Sequence, residues 1–185
     1  MTLYFITGNK NKFEEAKLIL PEIEQFDIDL PEIQDIDAKK IIKAKLLEAL
    51  NHKKADFIVE DTSLYFECLK GMPGPLIKWF MNSIGNQGLF ELAEKLENNK
   101  AEAKTIIGYA KNSEEIHFFE GIIKGNIIAP EHSTSFGWDP IFQPKGHSKC
   151  FAEMSKEEKN KISMRKLAFA KLKEFLDENK QFSKS

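Results

Sequence analysis

The spacing of apolar residues changes from strand-like to helical and back within the opening stretch of this chain, and that alternation constrains its fold more than any other feature. Leu3-Tyr4-Phe5-Ile6-Thr7 is a short apolar run of the kind that makes a buried strand. It ends in the turn signal Gly8-Asn9, after which Phe13, Ala16, Ile19 and Leu20 fall on one face of a helix. Phe26, Ile28 and Leu30 then alternate as in a half-buried strand until Pro31 closes it, and Ile42, Leu46, Ala49 and Leu50 line a second helix. The opening order is therefore β-α-β-α.

Phe57-Ile58-Val59 predicts a third strand that delivers Glu60-Asp61-Thr62 at its end, and the cluster Gly71-Met72-Pro73-Gly74-Pro75 predicts a loop. Two helices are expected next, over 76–84 and 87–98. Thr105–Tyr109 and Ile116–Phe119 flank Asn112-Ser113-Glu114 as two antiparallel strands flank a turn. After an irregular stretch over 129–150, Ser155-Lys156-Glu157-Glu158 has capping-box spacing. Leu167, Phe169, Leu172, Phe175 and Leu176 mark a final amphipathic helix. The pattern predicts an α/β protein with an antiparallel portion, one domain over residues 1–185, with no internal repeat and no linker.

Composition narrows the function classes. No apolar run approaches the roughly 18 residues of a membrane-spanning helix, and no secretory leader opens the chain, so a cytoplasmic protein without a membrane partner is expected. Cys68 and Cys150 are the only cysteines and form no CxxC pair, which points away from a disulfide framework or a zinc site. A net charge of −2 argues against the broad basic surface of a general nucleic-acid binder, so any phosphate must be met locally. Of the 27 basic residues one is an arginine, Arg165. Its planar fork of donors is something lysine does not copy, which marks Arg165 for inspection.

Four constellations carry chemistry. Thr7-Gly8-Asn9 with Lys12 places a hydroxyl, an amide and an ammonium at a strand-to-helix junction, where free N–H groups and the helix dipole favour phosphate. Simple helix capping accounts for the same residues. Glu60, Asp61 and Glu32 sit at strand ends, and a scattered carboxylate set of this kind suits Mg²⁺, which takes one or two protein carboxylates besides water and phosphate oxygens. Because neighbours on a strand point to opposite faces, one of Glu60 and Asp61 faces the site. Phe136-Gly137-Trp138-Asp139-Pro140 suits a flat ligand, with aromatic faces for stacking and a carboxylate for the ligand's edge, although such loops also plug cores. Lys159 and Arg165 are six residues apart, about 240° around a helix, so a break near Ser163 is needed to bring them together.

Taken together these strings resemble the inosine triphosphate pyrophosphatase family. The resemblance rests on TGNKNKFEEA from Thr7, VEDTSLYF from Val59, GMPGPLIKWF from Gly71, SFGWDPIFQP from Ser135 and FAEMSKEEKNKISMR from Phe151, in the family's order and spacing. It implies an elongated mixed sheet flanked by helices, two lobes around a central nucleotide-binding cleft, and a homodimer. It implies hydrolysis of non-standard purine nucleoside triphosphates (ITP, dITP, XTP) to the monophosphate and pyrophosphate with Mg²⁺. By the same resemblance Asp61 is catalytic and holds the metal with Glu32. Thr7, Gly8, Asn9, Lys12, Lys45, Thr62, Lys78 and Lys159 contact the substrate's phosphate side, and Phe136, Gly137, Trp138, Asp139 and Arg165 its base. One position departs: the family's Ser-His-Arg reads Ser163-Met164-Arg165 here, and methionine donates no hydrogen bond. That departure supports the alternative of a nucleotide-binding relative with altered base selectivity and little turnover.

Overall fold

The structure is a computed structural model, and it describes residues 2–130 and 137–182. Among these, the order is β1 (Leu3–Ile6), α1 (Lys10–Lys17), β2 (Glu24–Phe26), α2 (Ala38–His52), β3 (Asp56–Phe66), β4 (Pro73–Gly74), α3 (Ile77–Lys95), β5 (Lys100–Ala110), β6 (Ile116–Ile127), β7 (Phe142–Pro144), α4 (Lys156–Ile162) and α5 (Met164–Phe182). Short 3-10 turns cover Asp139–Ile141 and Phe151–Glu153. The strands form a mixed sheet in the order β2-β1-β3-β5-β6-β7, with β4 paired to β3. β1 is parallel to β2 and β3, whereas β4 is antiparallel to β3 and β7 to β6. The expected α/β class, a mixed sheet flanked by helices, is thus the observed one.

By its contacts the chain divides into two compact units, the first Met1–Asp61, Thr105–Gly121 and Met164–Ser185, the second Thr62–Lys104 and Ile122–Ser163. In the first, the pleat sorts side chains onto two faces. Leu3 and Phe5, Ile58, and Ile107 with Tyr109 pack against Ala16 of α1 and Ala168, Phe169 and Leu172 of α5. Phe57 and Val59, and Ile106 with Ala110, pack against Ala38, Ile42, Leu46 and Ala49 of α2. Sheet and helices therefore stack in three layers, each strand giving alternate residues to opposite helices. In the second unit Trp138, Phe142 and Phe151 form an aromatic cluster, with Trp138 and Phe142 edge-on at 5.7 Å and Phe142 and Phe151 at 5.2 Å.

Several expectations are met closely. The α2 helix and the capping box at Ser155 are present. The two helices predicted after the Pro/Gly loop are the two halves of α3, broken at Gly85. A five-residue connection is too short for a parallel crossover, so neighbours β5 and β6 form a hairpin, closed by the Lys111 N–H donating to Glu115 O. Cys68 and Cys150 are free thiols, both pushed up in pKa by burial. No helix among the described residues is long and apolar enough to cross a membrane.

Other expectations differ. The strand expected to reach Leu30 stops at Phe26, because its ladder is with the four-residue β1 and ends when β1 does, at Ile6 opposite Phe26. Glu60 and Asp61 lie not at a strand end but inside the eleven-residue β3. Beyond them Ser63, Leu64 and Phe66 are buried, and burial carries the strand through its polar middle. Leu167, assigned to the apolar face of the last helix, is 42% exposed. Residues 129–150 hold β7 and a 3-10 turn rather than irregular chain alone, and Phe136 falls outside the described residues.

The start of α5 lies directly on β6. A Cβ added at Gly121 would fall 1.9 Å from Met164 O and 2.8 Å from Ala168 N, so only glycine permits this approach. Gly121→Ala is predicted to destabilise the protein by about 2 kcal/mol or more by forcing α5 off the strand. Urea denaturation measures it, and an unchanged midpoint contradicts this packing.

Candidate active site

In the first unit, the junction of β1 and α1 is built by two local hydrogen bonds. The Asn9 N–H donates to Thr7 Oγ1 at 3.1 Å, and Asn9 Oδ1 accepts from the Lys12 N–H at 3.2 Å, so Asn9 caps the helix. The capping account of these residues is therefore correct as far as it goes. It leaves the charges unexplained. The first turn of α1 carries Lys10 and Lys12 and no acid, although a helix N-terminus is the positive end and favours carboxylates. The first turn of α3 in the second unit likewise carries exposed Lys78 and no acid. Lys12 has Glu60 at 3.2 Å, and in α2 Lys39 and Lys40 have Glu120 at 2.7 Å and Asp35 at 3.4 Å. Cations set at a positive helix end are what an anion bound there would offset.

A buried charge network occupies the sheet face shared by α1 and α5. Glu60, with 1% of its side chain exposed, receives Arg165 as a fork: Nε donates to Oε2 at 2.7 Å and Nη2 to Oε1 at 3.0 Å. Arg165 Nη1 donates to Glu15 Oε2 at 2.5 Å, and Lys12 Nζ lies 3.2 Å from Glu60 Oε1. Burial works against the guanidinium's charge, but Glu60 and then Glu15 outweigh it and hold its pKa above the ordinary value. The expected break is present, since Ser163 is extended between α4 and α5 and Arg165 falls in the first turn of α5. Its donors meet Glu60 and Glu15.

Asp61 follows Glu60, so the pleat turns it to the other face, with Phe57 and Val59 on the α2 side. Lys45 projects from α2 on that side and holds Glu32 Oε2 at 2.5 Å, with Glu32 half-exposed in the loop before the helix. Among the described residues no three His, Cys, Asp or Glu gather as a metal cage. The hard oxygen donors of Asp61 and Glu32 suit Mg²⁺, which needs no such cage when water and phosphate complete its shell.

In the second unit, Thr62 continues β3 directly after Asp61. Gly137 and Trp138 lead into the 3-10 turn that begins at Asp139. Asp139 is ion-paired with Lys159 of α4, whose ammonium also lies 5.1 Å from the centre of the Phe151 ring. Trp138 is 7% exposed, packed against Phe142 and Phe151. Its ring packs against the core here. Reading the sequence passed over Glu15, whose position three residues after Lys12 on one helix face was the available signal. It also passed over Asn86, a polar residue at the break in α3.

The sequence matches the model of the Ham1 family over residues 3–175. The chain belongs to the Ham1 family. It is 42% identical over 183 residues to a Schizosaccharomyces pombe protein named inosine triphosphate pyrophosphatase, covering 97% of each chain. A Yarrowia lipolytica protein of the same name is 40% identical over 190 residues, covering all of both. Among solved structures, a HAM1 protein from Coxiella burnetii superposes with a TM-score of 0.84 at 23% identity, covering 96% of this chain and all of that one. A nucleoside-triphosphatase, dITP/XTP pyrophosphatase, from Mycobacterium abscessus gives 0.72 at 25% identity, covering 93% and 98%.

In this Ham1 chain the Arg165–Glu60 pair is open to direct test. Arg165→Ala leaves a buried carboxylate with Lys12 as its remaining cation and is predicted to cost about 3 kcal/mol of stability. Arg165→Lys is predicted to recover less than half of that, because a point charge does not replace the fork. Thermal denaturation of both variants checks this; equal stability of lysine and arginine contradicts the bidentate account.

Proposed function

We propose that this chain is a nucleoside triphosphate pyrophosphohydrolase acting on inosine triphosphate, and on xanthosine and deoxyinosine triphosphates as the family does. The observation that carries this reading is its likeness, over nearly its whole length, to relatives named for that activity. First turns of α1 and α3 that carry lysine and no acid add support, since they suit a polyanion. Lys12, Lys45, Lys78 and Lys159 would neutralise phosphate oxygens, with Thr7, Gly8, Asn9 and Thr62 presenting hydroxyl, amide and backbone donors. Glu32 and Asp61 would hold Mg²⁺, which when bound supplies further charge neutralisation on the phosphates.

Asp61 orients a water molecule towards the α-phosphorus and accepts its proton. The water oxygen bonds to that phosphorus, the bridging bond to the β-phosphate breaks, and its electron pair departs with pyrophosphate. Gly137, Asp139 and Arg165, with Phe136 and Trp138, are assigned to the base side. A 6-oxo purine offers an acceptor where adenine offers an amino donor, so donors aimed at that edge favour the former. Loss of the family histidine at Met164, a 3% exposed residue that opens α5, removes one such donor. A cytoplasmic homodimer completes the reading, and sedimentation equilibrium tests the dimer.

Asp61→Asn is predicted to lower kcat for inosine triphosphate by about 100-fold or more while nucleotide affinity stays within about tenfold, because an amide takes no proton and binds the metal weakly. Pyrophosphate release and calorimetric titration measure the two. Near-normal turnover contradicts the assignment. Met164→His is predicted to raise the ratio of kcat/KM for inosine over adenosine triphosphate by about tenfold, the worth of one good hydrogen bond. An unchanged ratio assigns that position's contribution to its backbone instead.

A further inference from the structure

Helix α3 is interrupted at Gly85, where φ is 67° and ψ is −178°. A Cβ at this position would meet nothing within 4 Å, so glycine is there for its backbone and not for space. The interruption places Asn86 at the start of the second helical half. Its Nδ2–H donates to Gly137 O at 2.9 Å, across 51 residues of sequence. Its Oδ1 is buried and has no partner among the described residues. A buried acceptor left unpaired is a cost that an apolar side chain would avoid, so packing does not explain an asparagine here.

What the amide holds is the backbone just ahead of Trp138 and Asp139. Gly137 itself has φ 67° and stands immediately before the 3-10 turn. Downstream, Trp138 is anchored by Phe142 and Phe151, and Asp139 by Lys159. At the head of the segment, the Asn86 amide holds the Gly137 carbonyl. We propose that Asn86 is a positioning residue for the base-recognising segment Gly137–Asp139, fixing its peptide plane through the Gly137 carbonyl; this rests on the function proposed above. The broken α3 is then a device that delivers one amide to that carbonyl, and base selectivity depends on a residue that need not touch the nucleotide.

Asn86→Asp keeps the shape and removes the amide donor, and Asn86→Ala removes the side chain. Both are predicted to raise KM for inosine triphosphate about tenfold, leave kcat within about threefold, and lower the preference for inosine over adenosine triphosphate. The affinity for inorganic triphosphate, measured by calorimetry, is predicted to stay unchanged, since it has no base to be misplaced. Equal weakening of inosine triphosphate and inorganic triphosphate, or unchanged selectivity in both variants, overturns the proposal. So does failure of both variants to fold, because Asn86 would then hold the unit together and not the segment. A wild-type protein that hydrolyses no nucleoside triphosphate refutes the proposed function itself, a result distinct from selective hydrolysis that ignores position 86.

Discussion

A carboxylate in the middle of a buried strand has to be matched, and in this protein the match to Glu60 organises the first unit. With 1% of its side chain exposed, Glu60 sits between cations from two different helices, Lys12 of α1 and Arg165 of α5. Desolvating such a group is costly unless geometry and hydrogen bonding are good, and a fork onto both oxygens is the geometry that meets that demand. This explains an arginine at this position in a chain that otherwise uses lysine: Glu60 takes two donors held in a plane, which a lysine does not present. Glu15 takes the remaining side of the guanidinium, so the first turns of α1 and α5 are tied to one residue of β3.

That tie has a consequence for the neighbouring residue. Fixing Glu60 on the α1 and α5 face fixes the pleat, and the pleat sends Asp61 to the α2 face, where Lys45 and Glu32 are joined. The two adjacent carboxylates thus face opposite sides of the sheet. Glu60 is held in a structural network, and Asp61 is the one to which the proposed function assigns metal and water.

Much of this was legible in the sequence, because the signals were local. The strand, turn and helix entry at Thr7–Lys12, the capping box at Ser155 and the break before Arg165 each follow from a few adjacent residues whose chemistry permits little else. What was not legible depends on partners far along the chain. The partners of Arg165 lie 105 and 150 residues away, and no spacing rule identifies them. Trp138 reads equally as a stacking face or a core plug, and its neighbours Phe142 and Phe151 come from the fold and not from spacing. The extent of β3 is hidden for a related reason: a run of acid, acid and threonine looks like a strand end, and the burial of Ser63, Leu64 and Phe66 carries the strand onward.

The central claim is that water is directed at the α-phosphorus of a non-standard purine triphosphate from the Asp61 side of β3. Turnover of inosine triphosphate in ¹⁸O-labelled water with Mg²⁺, followed by mass spectrometry of both products, tests it most directly. The account predicts one label in the nucleoside monophosphate and none in pyrophosphate. Label in pyrophosphate, or release of orthophosphate as the first product, contradicts it.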